Sequence, residues 1–162
     1  MIPKTFEELI QTDSEKLVTM FRLLVGFVFF AEGVQKFLYP DLRGPGRFEG
    51  MGYPAPDFFG YFVGGAEIVF GLLLLVGLVT RFASLGTFTI MVVAILTTKI
   101  PIVFGTDILI FNVRDLDYYG FWAFAHESRN DLAMLFSSFY LMCKGGGAAS
   151  IDVKIKSALN SP

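Results

Sequence analysis

The feature that most limits how this chain can fold is the stretch at about residues 58–79. It holds some 22 consecutive residues that are apolar or small, interrupted by one charge, Glu67. A helix needs about 20 mostly apolar residues to cross the hydrocarbon layer. A second such stretch runs over about 17–38, and a third over about 82–103, uncharged until Lys99 and followed by Pro101, which ends or kinks a helix. Residues 132–143 are apolar but too short alone. Extended back to about 123 they take in His126, Glu127, Arg129 and Asp131, and Phe121, Trp122 and Phe124 supply an aromatic belt where such a helix would enter. The expectation is an all-α integral membrane protein: a single membrane domain over 1–162, a four-transmembrane-helix bundle with spans at about 17–38, 58–79, 82–103 and 123–143.

Composition removes the alternatives. Of the 162 residues, 54% are hydrophobic and only 17% charged, with 19 phenylalanines. A soluble domain carries about 25% charged residues, so this chain lacks the charge to cover a water-facing surface. A net charge of −2 gives no electrostatic footprint for nucleic acid. The single cysteine, Cys143, excludes a disulfide framework and dithiol chemistry. Glu7, Glu8, Asp13 and Glu15 stand where a secretory signal would be basic, so no cleaved signal is expected. Asp13 or Ser14 is placed to cap the first helix.

The connections differ in kind. Thr80–Arg81 is a tight link that makes spans two and three a hairpin. Residues 39–57 hold four prolines and four glycines and read as an ordered, irregular first external loop. The long third connection contains Ile108 to Phe111, which reads as a strand or re-entrant stretch, and Gly145 to Gly147 read as a helix cap and linker. One side of the membrane collects Lys4, Lys16, Arg81, Lys144, Lys154 and Lys156, the other Arg43, Arg47, Lys99 and Arg114. The positive-inside rule then puts the tails, 1–16 and 144–162, in the cytoplasm.

Charges inside spans cost about 2.5–3.5 kcal/mol each on insertion scales, so each asks for a partner or a purpose. Arg22, Gly26, Phe29, Gly33 and Lys36 recur at helical spacing and share a face, with Glu32 beside them. Gly60, Gly64, Glu67 and Gly71 share another, and small residues allow close helix approach. Glu67 should therefore face the bundle interior beside Arg22, Lys36 or Arg129, and by depth beside Lys36 or Arg129. Glu127, Asp131, Met134 and Ser138 form a third stripe. The candidate ligand pocket and charge network is thus Arg22, Glu32, Lys36, Glu67, Glu127, Arg129 and Asp131. Mutual neutralisation is the plain reading of these charges; a site for a polar headgroup is the functional one. No metal site is expected, because His126–Glu127 begins a zinc-protease pattern that Asn130 breaks, and the chain has no other histidine.

Taken in order, Arg22-Leu23 with Gly26, Gly33 with Lys36-Phe37, Met51-Gly52-Tyr53-Pro54, Glu67 with Gly71, and Gly77-Leu78 with Thr80-Arg81 resemble the DoxX family of small four-span bacterial membrane proteins. Met91, His126-Glu127-Ser128-Arg129-Asn130-Asp131-Leu132-Ala133, Gly145 to Gly147 and Ser150-Ile151-Asp152 extend the resemblance over most of residues 15–153. It implies a multi-pass protein of the bacterial inner membrane. Members are similar to subunits of thiosulfate:quinone oxidoreductase, and others are associated with membrane redox and thiol-stress complexes. The functional expectation is a redox-associated membrane subunit with no intrinsic cofactor, holding a quinone-like headgroup among Glu67, Arg129, Lys36 and Arg22. The alternative is an accessory subunit of a larger membrane complex without its own chemistry. The resemblance carries no defined catalytic residue, so it does not decide between an enzyme and an accessory chain. Expected partners are the lipid bilayer and other membrane-protein subunits.

Overall fold

A computed structural model describes residues 10–12 and 15–159. Lys4 and the proposed caps Asp13 and Ser14 lie outside the described residues. Every regular element is a helix, the exception being one isolated antiparallel bridge between Ile108 and Phe111. In chain order these are α1 (Lys16–Leu38), α2 (Pro40–Arg43), α3 (Pro45–Gly50), α4 (Pro56–Val76), α5 (Thr80–Ala94), a π-helical turn (Ile95–Lys99), α6 (Ile100–Phe104), α7 (Phe121–Lys144) and α8 (Ile151–Leu159). Among the described residues three stretches are long and apolar enough to cross a membrane: Lys16–Leu38, Pro56–Val76 and Thr80–Phe104. α7 matches them in length, at 24 residues, but its first half carries Glu127, Arg129 and Asp131.

The boundaries follow backbone chemistry. Pro40, Pro45 and Pro56 open α2, α3 and α4 in the first turn, where a missing N–H costs nothing. α4 stops at Gly77, whose φ of 71° is a left-handed cap; the Gly77 N–H bonds to Leu73 O at 2.9 Å and the Leu78 N–H to the same carbonyl at 3.0 Å. The loop over residues 39–57 is more regular than its proline and glycine content suggests, since α2 and α3 occupy most of it. Pro101 does not end the third span. The helix widens into the π turn just before it, where the Ile100 N–H bonds five residues back to Ile95 O, and the Thr97 and Thr98 hydroxyls bond to Val93 O and Ala94 O at 2.8 and 2.7 Å.

α1 and α4 pack antiparallel and closely. The buried faces are the ones the spacing picks out: Arg22, Gly26, Phe29, Gly33 and Lys36 on α1, and Gly60, Gly64, Glu67 and Gly71 on α4. A Cβ at Gly33 would stand 2.7 Å from Gly64 O, and one at Gly71 2.6 Å from Phe30 N, so neither position admits alanine without moving backbone. α5 and α7 form the second close pair. Their seam is lined by fully buried small hydroxyls, and Thr87 and Ser138 meet across it at 2.9 Å. The apolar core (Val18, Val25, Phe29, Leu74, Ala83 and Leu141) sits mostly in the half of the bundle nearer the α4–α5 hairpin.

Two readings of the connections change. Ile108 to Phe111 is not a strand. It is a two-residue turn closed by Ile108 N–H to Phe111 O (3.0 Å) and Phe111 N–H to Ile108 O (2.9 Å), with Leu109 93% exposed at its tip. Gly145 to Gly147 cap α7 but do not act as a linker. All three are buried, and the Gly147 N–H bonds to Thr12 Oγ1 at 2.8 Å. The chain after them returns to the bundle and docks.

Candidate functional site

The charges separate into two ends of the bundle instead of converging on one network. At the loop end, toward the first loop and the third connection, Lys36 reaches across from the last turn of α1 to Glu67 in the middle of α4. Nζ lies 2.6 Å from Oε2, with the two side chains 10% and 6% exposed. This is the interior ion pair that the α1 and α4 spacing predicts, and Lys36 is the base that forms it. Gly64 makes the approach possible, since a Cβ there would meet the Lys36 Cβ at 3.1 Å. Glu32 forms no ion pair with Lys36 among the described residues, although one helical turn separates them.

The α5–α7 pair carries a second interior ion pair. Lys99 Nζ lies 3.4 Å from Asp131 Oδ2, the side chains 11% and 22% exposed. Lys99 enters the interior from the π turn, a local widening often found at functional sites. Beside it Tyr53, from the first loop, donates its hydroxyl proton to Thr97 Oγ1 at 3.0 Å. The Tyr53 ring packs against Phe48, Phe59 and Phe111 at 5.0, 5.5 and 5.1 Å between centroids. That one side chain ties α3, α4, the third connection and the π turn together. Farther out, Arg114 bonds to Glu127 at 3.0 Å, the arginine 67% exposed.

Two of the expected members stand apart. Arg129 is exposed and turns back to the His126 carbonyl one turn away on its own helix. Arg22 is 2% exposed but lies at the opposite, hairpin end, where it bonds to backbone: Nη1 donates to Leu74 O (2.5 Å) and Leu75 O (2.8 Å), and Nη2 to Ala149 O (2.7 Å). Lys99, Tyr53 and Thr97 were not among the expected site residues. The signal for them was Thr97-Thr98-Lys99 followed by Pro101, since a proline two residues past a charge disturbs the helix that aims it. Among the described residues no three His, Cys, Asp or Glu side chains gather as a metal site.

What the Lys36–Glu67 pair offers chemically is a donor and an acceptor side by side, largely removed from water. Each makes one hydrogen bond, to the other, among the described residues. An ammonium has three donors and a carboxylate about four acceptor positions, so the described protein groups engage only part of what the pair can bond. Phe37 and Tyr61, 5.5 Å apart, flank it toward the outer surface of the bundle.

Comparison with known proteins agrees with this architecture. An uncharacterized membrane protein of Mycobacterium tuberculosis, Rv3486, is 41% identical over 151 residues, which cover 93% of this chain and 88% of the relative. No solved structure matches the chain. The family model named DoxX matches residues 17–100, a region that holds α1 to α6 up to Ile100 and the whole Lys36–Glu67 pair. This all-helical membrane protein therefore belongs to the DoxX family.

Proposed function

We propose that the Lys36–Glu67 pair is the polar end of a site for a quinone-like headgroup, and that the protein serves as a redox-associated membrane subunit. The observation that carries this reading is a buried ammonium and carboxylate that, among the described protein groups, bond only to each other. A pair whose only task was to join α1 to α4 gains by further hydrogen bonds from the surrounding protein, because polar groups in a low-dielectric interior are costly unless well bonded. The Lys36 ammonium suits a carbonyl oxygen, and the Glu67 carboxylate suits a hydroxyl on the same ring. Phe37 and Tyr61, both nearly half exposed to the lipid side, suit an aromatic ring whose isoprenoid tail stays in the bilayer. When bound, a quinone would supply the redox chemistry; the chain's residues hold and orient it, and electrons come from a partner subunit. The test is a titration of the full chain in lipid nanodiscs with a short-chain quinone analogue. Saturable binding is expected, weakened about tenfold or more by Glu67→Gln, the effect of losing one charged hydrogen bond. An absence of saturable binding, or an unchanged affinity in Glu67→Gln, overturns the reading and favours the accessory-subunit alternative.

The same proposal takes α7 as the fourth span of a single membrane domain, with the hairpin end in the cytoplasm of a bacterial inner membrane. Twenty-four helical residues reach about 36 Å, and α7 lies along α5 with Asp131 turned to Lys99 and Glu127 to Arg114. Paired charges of this kind are tolerated inside a bundle. Lys16, Arg81, Lys144, Lys154 and Lys156 all fall at the hairpin end. In a Cys143→Ser background, an impermeant thiol reagent added outside the cells should label Leu109→Cys and spare Leu159→Cys. Labelling of both would mean that α7 does not cross; labelling of Leu159→Cys alone would reverse the orientation.

A further inference from the structure

The hairpin end holds a construction that the proposed site does not use. α5 begins without a capping side chain of its own: its N-cap residue is Val79, held at φ 43° in the left-handed region. A β-branched residue is strained there and stays only if its surroundings fix it. What fixes it comes from 73 residues along the chain. Asp152 Oδ1 accepts the Val79 N–H at 2.7 Å and Oδ2 accepts the Thr80 N–H at 2.9 Å, while the Asp152 N–H donates to Gly77 O at 2.9 Å. The carboxylate is 1% exposed. It therefore supplies the anion that the helix N-terminus attracts and satisfies two donors the helix cannot satisfy itself.

The neighbouring helix end is closed by Arg22 of α1, which the same tail holds in place. Arg22 donates to Leu74 O and Leu75 O, carbonyls at the C-terminus of α4, and its other terminal nitrogen holds Ala149 O, three residues before Asp152. A guanidinium at a helix C-terminus answers both the free carbonyls and the negative end of the helix dipole. Ser150 Oγ, bonded to Gly147 O at 2.8 Å, holds the turn that brings Ala149 and Asp152 into place.

We propose that the segment from Gly145 to Leu159 is an intramolecular clasp: through Ala149 and Asp152 it closes both helix ends of the α4–α5 hairpin, and it opens as a unit separate from the loop end. It acts as a conformational device on the hairpin and does not depend on what binds at Lys36 and Glu67. Three features support this. The contacts run to backbone groups of two helix termini and not to lipid-facing side chains. They are made by one short tail segment together with Arg22, the α1 side chain that Ala149 O holds. They hold a strained turn that has no cap of its own.

Hydrogen–deuterium exchange of the full chain in nanodiscs tests the clasp, read on three peptides: one over residues 77–83, one over 145–159, and those carrying Lys36 and Glu67. In Asp152→Ala the first two should exchange about tenfold faster, the size of effect ordinary for a lost N-cap. The peptides with Lys36 and Glu67 should keep the wild-type rate. Asp152→Asn, which retains one acceptor oxygen without the charge, should fall between. Arg22→Lys gives an independent arm: a single ammonium nitrogen does not replace the two guanidinium nitrogens that reach the α4 carbonyls and Ala149 O, so the tail and hairpin peptides should again accelerate together. The proposal is overturned if the tail is freed while residues 77–83 stay protected. It is equally overturned if the tail stays protected in both Asp152→Ala and Arg22→Lys, or if all peptides accelerate alike.

Discussion

The two ends of this bundle each bury basic residues, and they treat them in opposite ways. At the hairpin end Arg22 is bonded to three main-chain carbonyls and Asp152 to two main-chain N–H groups, so the charges there complete helix termini. At the loop end Lys36 faces Glu67 and Lys99 faces Asp131, side chain to side chain. A charge that satisfies backbone has a structural task that no substitution elsewhere can take over. A charge that satisfies another side chain can be removed together with its partner. Buried charge by itself therefore says little about function; what it is bonded to separates the architectural charges from the candidate site.

That difference predicts how the two ends respond to mutation. Glu67→Leu strands the Lys36 ammonium and should destabilise by about 3–5 kcal/mol, the usual cost of removing one member of a buried pair. Adding Lys36→Met should restore stability to within about 1 kcal/mol of wild type, because a buried pair can be replaced by apolar side chains of similar volume. Arg22→Met should cost about 3 kcal/mol, through three charged hydrogen bonds to carbonyls that then lack donors, and no second substitution should repair it. Thermal unfolding of wild type and the three variants in one micelle system measures this. If the Lys36→Met/Glu67→Leu double variant is no more stable than Glu67→Leu alone, the contrast between the ends fails.

The faces of α1 and α4 were legible in the sequence because helical spacing fixes which side chains share a face, and glycines on both helices mark the faces that meet. Glu67 was therefore expected inside before any coordinate was known. Its base was narrowed by depth to Lys36 or Arg129, and Arg129 loses because it lies on a part of α7 that faces outward. The role of Arg22 was not legible, since its partners are carbonyls and every residue has one. Lys99 was counted only for the charge balance; the π turn that aims it inward is a change of helical register, which a fixed period of 3.6 does not anticipate. Asp152 stands out in the sequence only through the family resemblance of Ser150-Ile151-Asp152. A clue did exist: Val79 is a poor N-cap, so the N-terminus of α5 had to find an acceptor elsewhere. Which acceptor it found depends on the tail folding back, and no local pattern records that.

The smallest effect concerns strain, which the two ends also handle differently. Val79 at the hairpin end and Leu109 at the loop end both sit in the left-handed region, at φ 43° and 55°. Val79 is held by Asp152. Leu109 is 93% exposed at the first central position of a two-residue turn, so its side chain has almost no packing to lose. Glycine suits that position in a tight hairpin turn, and an L side chain there costs roughly 1 kcal/mol. Against this, glycine gives up some stability by loosening the unfolded chain. Leu109→Gly should still raise stability, by up to about 1 kcal/mol, visible as a small increase in Tm. The gain should be no larger when Asp152→Ala is also present, because the two strained turns lie at opposite ends and share no contact. A loss of stability in Leu109→Gly would show that the leucine is held by contacts comparable to those on Val79, and the distinction between a clasped end and an open one would narrow accordingly.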